Sequence, residues 1–244
     1  MTATRDLPSF FAGLEAWAAG QGPEPSTLRY GSHVDQVADL RESQTSARVA
    51  VVIHGGFWRS GFTRANTAAV AAALARAGWT TWNLEYRRVG AGGGYPQTLD
   101  DVATFCRRLG RPADVAIGHS AGAQLALWAA AEGFVRAAVA LAGVCDLRAA
   151  AAALLGDGAV VQFLGCAPAE APDADPAQRL PLGAPVALVH GNRDDRVPLE
   201  HARGFSAAAG ARLAELEGAD HFDVIDPRAP GWRAIEAEID AVVS

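Results

Sequence analysis

An α/β architecture, with a mainly parallel twisted sheet and helices on both faces, is predicted by three observations. From residue 48 onward, short apolar β-type runs alternate with longer helical patterns, as expected for strands joined by crossover helices. The run Gly118-His119-Ser120-Ala121-Gly122 lies directly between one such strand and a helix, where small residues permit a sharp turn. Finally, 244 residues suffice for one core, since surface scaling gives roughly 10,000 Å² folded against about 37,000 Å² unfolded. Residues 1–244 are therefore expected to form a single domain.

The elements follow in order. Residues 8–19 read as an amphipathic helix, 20–26 as a turn-rich link and 28–33 as an antiparallel strand, so that 1–27 form an N-terminal helical extension. Strands are predicted at 48–53, 80–85, 113–117, 137–141 and 185–190, with a weaker one at 212–217. Helices are predicted at 63–77, 96–109, 121–131, 199–209 and 230–243. The helix 121–131 carries alanine or leucine at nearly every position, which predicts burial on most of its faces. The segment 146–183 is rich in Ala, Gly, Pro and Asp and reads as helical turns and loops. It is too short for a domain of its own, and suits a minimal cap over the carboxyl edge of the strands, where open α/β sheets bind ligands.

Composition removes several chemistries. All 21 basic residues are arginine, so a Schiff-base lysine, a P-loop lysine, a kinase lysine and a serine–lysine dyad are excluded. The net charge of −6 with scattered arginines speaks against nucleic-acid binding, which needs a basic stripe to displace phosphate counterions. The start of the chain lacks a signal-peptide pattern, and no window approaches the roughly 20 apolar residues of a membrane span. A cytoplasmic protein acting on a small molecule is expected, with oligomerisation left open. Cys106, Cys145 and Cys166 are odd in number and lack metal-type spacing, so they read as reduced thiols.

The chemistry gathers at three places. Ser120 sits in the strand-to-helix turn as candidate nucleophile, but a serine hydroxyl needs a histidine to take its proton and a carboxylate to orient that histidine. In a sheet wound this way, acid and base follow the serine in loops after later strands. His221 follows the strand 212–217 and is the candidate base; His201 falls in a predicted helix as a surface residue, and Asp220 reads as a turn residue. Asp194 and Asp195 both follow the strand 185–190, and spacing alone leaves the choice between them open. His54-Gly55-Gly56-Phe57-Trp58 ends the strand 48–53. Glycines there let backbone N–H groups point at a developing oxyanion; the candidate donors are the amides of Gly56, Phe57 and Ala121. His54 is expected to brace this loop rather than act as a base or metal ligand. Trp58, Tyr86 and His119 are the candidate substrate pocket, although the aromatic residues could equally be packing. Gly31-Ser32-His33-Val34-Asp35 holds a His-x-Asp pair without further nearby histidines, so no metal and no cofactor is expected.

Together these residues resemble the α/β-hydrolase fold, and the HGGFW loop is similar to that of the esterase, lipase and kynurenine formamidase (arylformamidase) branch. The resemblance runs from about Tyr30 to the C-terminus. It includes Tyr30-Gly31, Gln36, Asp39-Leu40, His54–Trp58, Glu85-Tyr86-Arg87, Gly118–Gly122, Asp194–Pro198 and Asp220-His221-Phe222. It implies Ser120 and His221 as nucleophile and base, and Asp194, three residues before Val197-Pro198, as the acid. Haloalkane dehalogenases and epoxide hydrolases of this fold place an aspartate where Ser120 stands. The implied activity is a cofactor-free serine hydrolase acting on a small ester or activated amide, with a dedicated N-formylkynurenine formamidase as the alternative and a non-catalytic binding protein as the remote one. The glycine-rich loop 90–94 departs from the pattern and is expected near the site.

Overall fold

Alternate residues leave a strand on opposite faces, and the central strands here bury both. In β3 (Val49–Ile53), Val51 and Ile53 enter one hydrophobic core while Ala50 and Val52 enter the other. The same alternation runs through β5 (Val115–His119), β6 (Ala138–Leu141) and β7 (Val186–Gly191), every residue of which is buried. This is the pattern of strands covered by helices on both sides. The computed structural model describes residues 5–244. Its sheet is completed by β1 (Ser26–Arg29), β2 (Val37–Arg41), β4 (Thr80–Leu84) and β8 (Arg212–Leu216), in the order β1-β2-β4-β3-β5-β6-β7-β8. β2 runs antiparallel to β1 and β4, and all other neighbours are parallel.

On one face lie α3 (Gln97–Arg108), α4 (Ala121–Ala131), α5 (Leu147–Ala152), α6 (Leu155–Leu164) and α7 (Leu199–Ala209). On the other lie α1 (Leu7–Ala19), α2 (Ala68–Arg76) and α8 (Trp232–Val243). The exposed surface is 9975 Å², as the scaling predicts. α4 buries ten of its eleven residues, and full burial of Leu125 or Leu127 contributes roughly 1.5–3 kcal/mol each. Its one long polar side chain, Gln124, is used as a tie: Oε1 accepts from the Trp58 indole at 3.1 Å and Nε2 donates to Ala174 O at 2.8 Å. No helix among the described residues is long and apolar enough to cross a membrane.

Two elements differ from expectation. The strand expected at 28–33 ends at Arg29, because Tyr30 N–H bonds Gln36 O and Gln36 N–H bonds His33 O (2.9 and 3.0 Å), reversing the chain. It returns as β2, which no pattern announced because Asp39 and Arg41 interrupt its apolar residues. Both charges are satisfied only through tertiary partners. Asp39 pairs with Arg64 at 2.7 Å, and Arg41 donates to the carbonyls of Ala18, Gln21 and Pro23. The helix expected at 63–77 opens as a 3₁₀ turn (Arg64–Thr67), since the Asn66 side chain accepts Thr63 N–H and the Thr63 hydroxyl accepts Ala65 N–H. The segment 146–183 forms α5, α6 and three 3₁₀ turns, each beginning with a proline.

Candidate active site

β5 ends at His119 and α4 begins at Ala121, so Ser120 alone makes the turn, with φ 54° and ψ −119°. A non-glycine residue there carries of order 1–3 kcal/mol of strain, and its surroundings hold it. Ser120 N–H donates to Leu141 O at 2.9 Å, and its carbonyl accepts from Ala123 and Val144. Gly118 and Gly122 let the turn close, since a Cβ on Gly122 would collide with the carbonyls of Ile53 and His54. A Cβ on Gly55 would likewise come within 2.8 Å of Ser120 Cβ.

Ser120 and His221 border one cavity of about 50 Å³. His221 follows β8, and its Nδ1 lies 2.7 Å from Asp194 Oδ2. A carboxylate only accepts, so Nδ1 carries the proton and Nε2 keeps a free lone pair. Asp194 is fixed in turn: Oδ1 accepts the N–H groups of Arg196 and Val197, both at 2.8 Å, and Oδ2 lies 3.1 Å from His190 Nε2. Burial works against its ionisation, but the hydrogen bonds from His190 and His221 outweigh it and hold the carboxyl well below its usual range. Of the two adjacent aspartates Asp194 is the one that faces His221, while the Asp195 side chain is 77% exposed and faces Arg196 at 3.4 Å.

His119 also borders the cavity. Its Nε2 donates to His221 O at 3.0 Å. Burial, reinforced by the neighbouring His221, pushes its pKa down to about 3, so it stays neutral beside the candidate base.

The loop after β3 supplies the other wall. Gly55, Gly56 and Phe57 border the cavity, and Gly56, Phe57 and Trp58 all have positive φ (103°, 53° and 56°). The N–H groups of Gly56 and Phe57 make no backbone hydrogen bond among the described residues, and Ala121, the first residue of α4, has no intrahelical acceptor. His54 braces the loop from below: Nε2 meets Glu85 Oε1 at 2.7 Å, Nδ1 meets Gly55 O at 2.8 Å, and the ring stacks on Tyr86 at 4.4 Å. Burial opposes ionisation of Glu85, yet His54 and then Arg88 hold its carboxyl below the ordinary value.

Some expected residues lie elsewhere. Trp58 and Tyr86 are fully buried and do not border the cavity. Trp58 stacks on Phe163 at 4.5 Å and bonds Gln124, while the Tyr86 hydroxyl donates to His54 O at 2.9 Å. They support the loop rather than face substrate. The loop 90–94 packs toward α6, where Tyr95 N–H bonds Phe163 O at 2.8 Å, and is not part of the cavity. His201, expected at the surface, is half-buried; burial lowers its pKa, and its Nδ1 has no partner among the described residues. His33 and Asp35 are engaged locally, His33 Nδ1 accepting Asp35 N–H at 3.1 Å and Asp35 pairing with Arg88 at 2.7 Å. Sequence reasoning missed Leu7, Phe11, Phe62, Asn66, Arg196 and Phe222, which complete the cavity wall. The doublet Phe10-Phe11, in a helix whose only polar side chains are Ser9 and Glu15, was the one signal the sequence offered.

The depressed carboxyl of Asp194 links stability to pH. Its folded pKa lies below its ordinary 3.8, so its contribution is complete above that value and is lost as pH falls toward and through the folded one. The melting temperature is therefore expected to fall between about pH 5 and about pH 2, and Asp194→Asn should make that fall shallower in calorimetric scans across the range.

A sharp strand-to-helix turn at Ser120, with the Asp194 and His221 loops following successive parallel strands, is the architecture of a hydrolase-type α/β fold. The chain belongs to the alpha/beta hydrolase family, which it matches over residues 50–172. No curated protein matches it in sequence. Among solved structures, esterase B from Lactobacillus rhamnosis is similar at 18% identity and a TM-score of 0.71, over 97% of this chain and 93% of that one. A thermophilic esterase from the planctomycete Thermogutta terrifontis is similar at 21% identity and 0.67, over 90% of each chain. An acetyl ester-xyloside bifunctional hydrolase from Caldicellulosiruptor lactoaceticus is similar at 17% identity and 0.71, over 91% and 98%. At such identities the likeness is one of fold.

Proposed function

We propose that the protein is a serine hydrolase that cleaves a small carboxylic ester or activated amide through an acyl-enzyme. The observation that supports this most directly is the 2.7 Å contact from His221 Nδ1 to Asp194, beside a cavity that His221 shares with the strained Ser120. In this reading Ser120 Oγ bonds to the substrate's carbonyl carbon as its proton passes to His221 Nε2. The carbonyl oxygen, now an anion, is received by the N–H groups of Phe57 and Ala121, with Gly56 alongside, each donor contributing about 3–4 kcal/mol in the transition state. The bond to the leaving group then breaks, and that group takes the proton from Nε2. Water attacks the acyl carbon, giving its proton to His221, and the acid departs as Ser120 Oγ regains one.

The cavity of about 50 Å³ has room for roughly three to five water-sized groups, which favours a short acyl chain. Two structural neighbours are consistent with this: the Lactobacillus esterase has been crystallised with a tributyrin phosphonate, and the Thermogutta esterase with propionate and with butyrate. Residues 146–183 serve here as the cap. Gly156 lies against the Phe57 ring, and Arg59 donates to Gly156 O at 2.7 Å and Gln162 Oε1 at 2.9 Å. The narrower reading as an arylformamidase draws on the HGGFW resemblance and on Phe11, Phe57, Phe62 and Phe222 around the cavity, since aromatic walls suit an aryl leaving group.

Initial rates on p-nitrophenyl acetate, butyrate and octanoate, on N-formylkynurenine and on an unactivated amide test both levels. Fast turnover of the short esters and slow turnover of octanoate and the amide are expected. A formamide rate far above every ester rate assigns the formamidase. Inactivity throughout, with no labelling by a fluorophosphonate, sinks the hydrolase reading.

A further inference from the structure

The N-terminal helix reaches the candidate site, although nothing local in its sequence ties it there. Leu7 and Phe11 of α1 border the same cavity as Ser120 and His221. Phe11 packs edge-on against Phe222 at 5.7 Å and against Phe62 at 6.4 Å, and Phe222 packs edge-on against the His221 ring at 5.0 Å.

The start of the helix is bound to the loop that carries His221. Arg5 Nη2 lies 2.9 Å from Asp220 Oδ2 and 2.7 Å from Asp223 Oδ1. The remaining oxygens of both aspartates are used inside the loop: Asp220 Oδ1 accepts the N–H groups of Phe222 and Asp223, and Asp223 Oδ2 accepts that of Asp220. Arg5 therefore grips a loop already closed on itself, from residues on both sides of His221. Its guanidinium also lies 4.4 Å over the Phe10 ring, a cation–π contact that fixes the direction in which the helix leaves the bridge.

We propose that α1 is a specificity element of the site: Phe11 closes the cavity against long apolar substrate groups, and the Arg5 bridge to Asp220 and Asp223 holds it there. The proposal rests on the hydrolase reading of Ser120. A half-buried aromatic ring that borders the same small cavity as Ser120 limits the volume open to an extended acyl chain. Its removal opens that volume without touching Ser120, His221 or Asp194.

The test uses the full chain and the ratio of kcat/KM for p-nitrophenyl octanoate to that for the acetate. Phe11→Ala is expected to raise this ratio about tenfold or more, chiefly through a lower KM for octanoate, since small changes in an apolar pocket discriminate chain length by about that factor. Phe11→Leu gives a smaller shift in the same direction and serves if the alanine variant does not fold. Arg5→Gln raises the ratio as well, and Arg5→Lys restores it. An unchanged ratio in folded Phe11 variants whose serine still reacts with a fluorophosphonate overturns the proposal. A shift with Phe11 variants but none with Arg5→Gln overturns the bridge's part in it. Failure of the unsubstituted protein to react with the fluorophosphonate overturns the hydrolase reading instead.

Discussion

Replacing Ser120 with alanine is expected to lower kcat/KM on a p-nitrophenyl ester by about 10⁴- to 10⁶-fold while leaving the fold intact. The loss is large because the hydroxyl oxygen is the one protein atom in the proposed sequence that bonds to substrate carbon. His221 and the backbone donors can still bind and polarise the carbonyl, which accounts for a residual rate above the uncatalysed reaction. The fold should be untouched because the substitution removes only Oγ. The backbone bonds that hold the turn, from Ser120 N–H to Leu141 O and from Ala123 and Val144 to its carbonyl, do not involve that atom. Alanine also has the same Cβ at φ 54°, so no new strain is introduced. Thermal unfolding should show stability equal to or slightly above that of the unsubstituted protein, as is common when a strained functional residue is simplified. A variant that kept its esterase rate would show that Ser120 is not the nucleophile.

The parts of this arrangement that were legible in the sequence are those governed by local rules. The turn at Ser120 is written in five consecutive residues between a strand and a helix, and the glycines at 118 and 122 sit where the backbone makes its closest approaches. His221 could be found by chain order, because loops at one sheet edge follow in sequence the strands that deliver them. Asp194 required more. It and Asp195 are chemically identical neighbours, and only the turn that gives Asp194 the N–H groups of Arg196 and Val197 decides which faces His221. β2 was hidden because its charged residues are paired with Arg64 and with carbonyls of the 18–23 segment, and pairing at long range leaves no periodic trace. The aromatic residues stayed ambiguous between pocket and packing for the opposite reason. Trp58 and Tyr86 lie next to the glycine loop after β3 and beside Glu85 in sequence, yet proximity along the chain does not say on which side of a loop a ring packs. The rings that do border the cavity include Phe11 and Phe222, more than two hundred positions apart, joined by a helix–loop contact that only the folded chain creates.

Asp194→Asn should lower kcat by about 10⁴-fold with little change in KM, whereas Asp195→Asn should alter either constant by less than about twofold, consistent with an exposed side chain. The asymmetry follows from proton placement. With aspartate, His221 Nδ1 faces an oxygen at 2.7 Å and must donate, which leaves Nε2 as the base. Asparagine can keep an oxygen toward the N–H groups of Arg196 and Val197, so the loop retains its two 2.8 Å bonds. Its amide nitrogen then faces His221 and donates to Nδ1. The imidazole proton moves to Nε2, directed at the hydroxyl it should deprotonate, and the carboxylate that would stabilise the imidazolium is gone. His190 is spared this conflict because its Nε2 also lies 2.8 Å from Val197 O and can donate there alone. Catalysis is thus expected to fall far more steeply than stability, for which losing charge-assisted bonds to a buried carboxylate costs about 1.5–3 kcal/mol. Steady-state kinetics of the two asparagine variants, together with their denaturation curves, separate the alternatives. Equal losses in both, or full activity in Asp194→Asn, would remove Asp194 from the proposed relay, while a large kcat loss confined to it would show that the orientation of one histidine proton governs the rate.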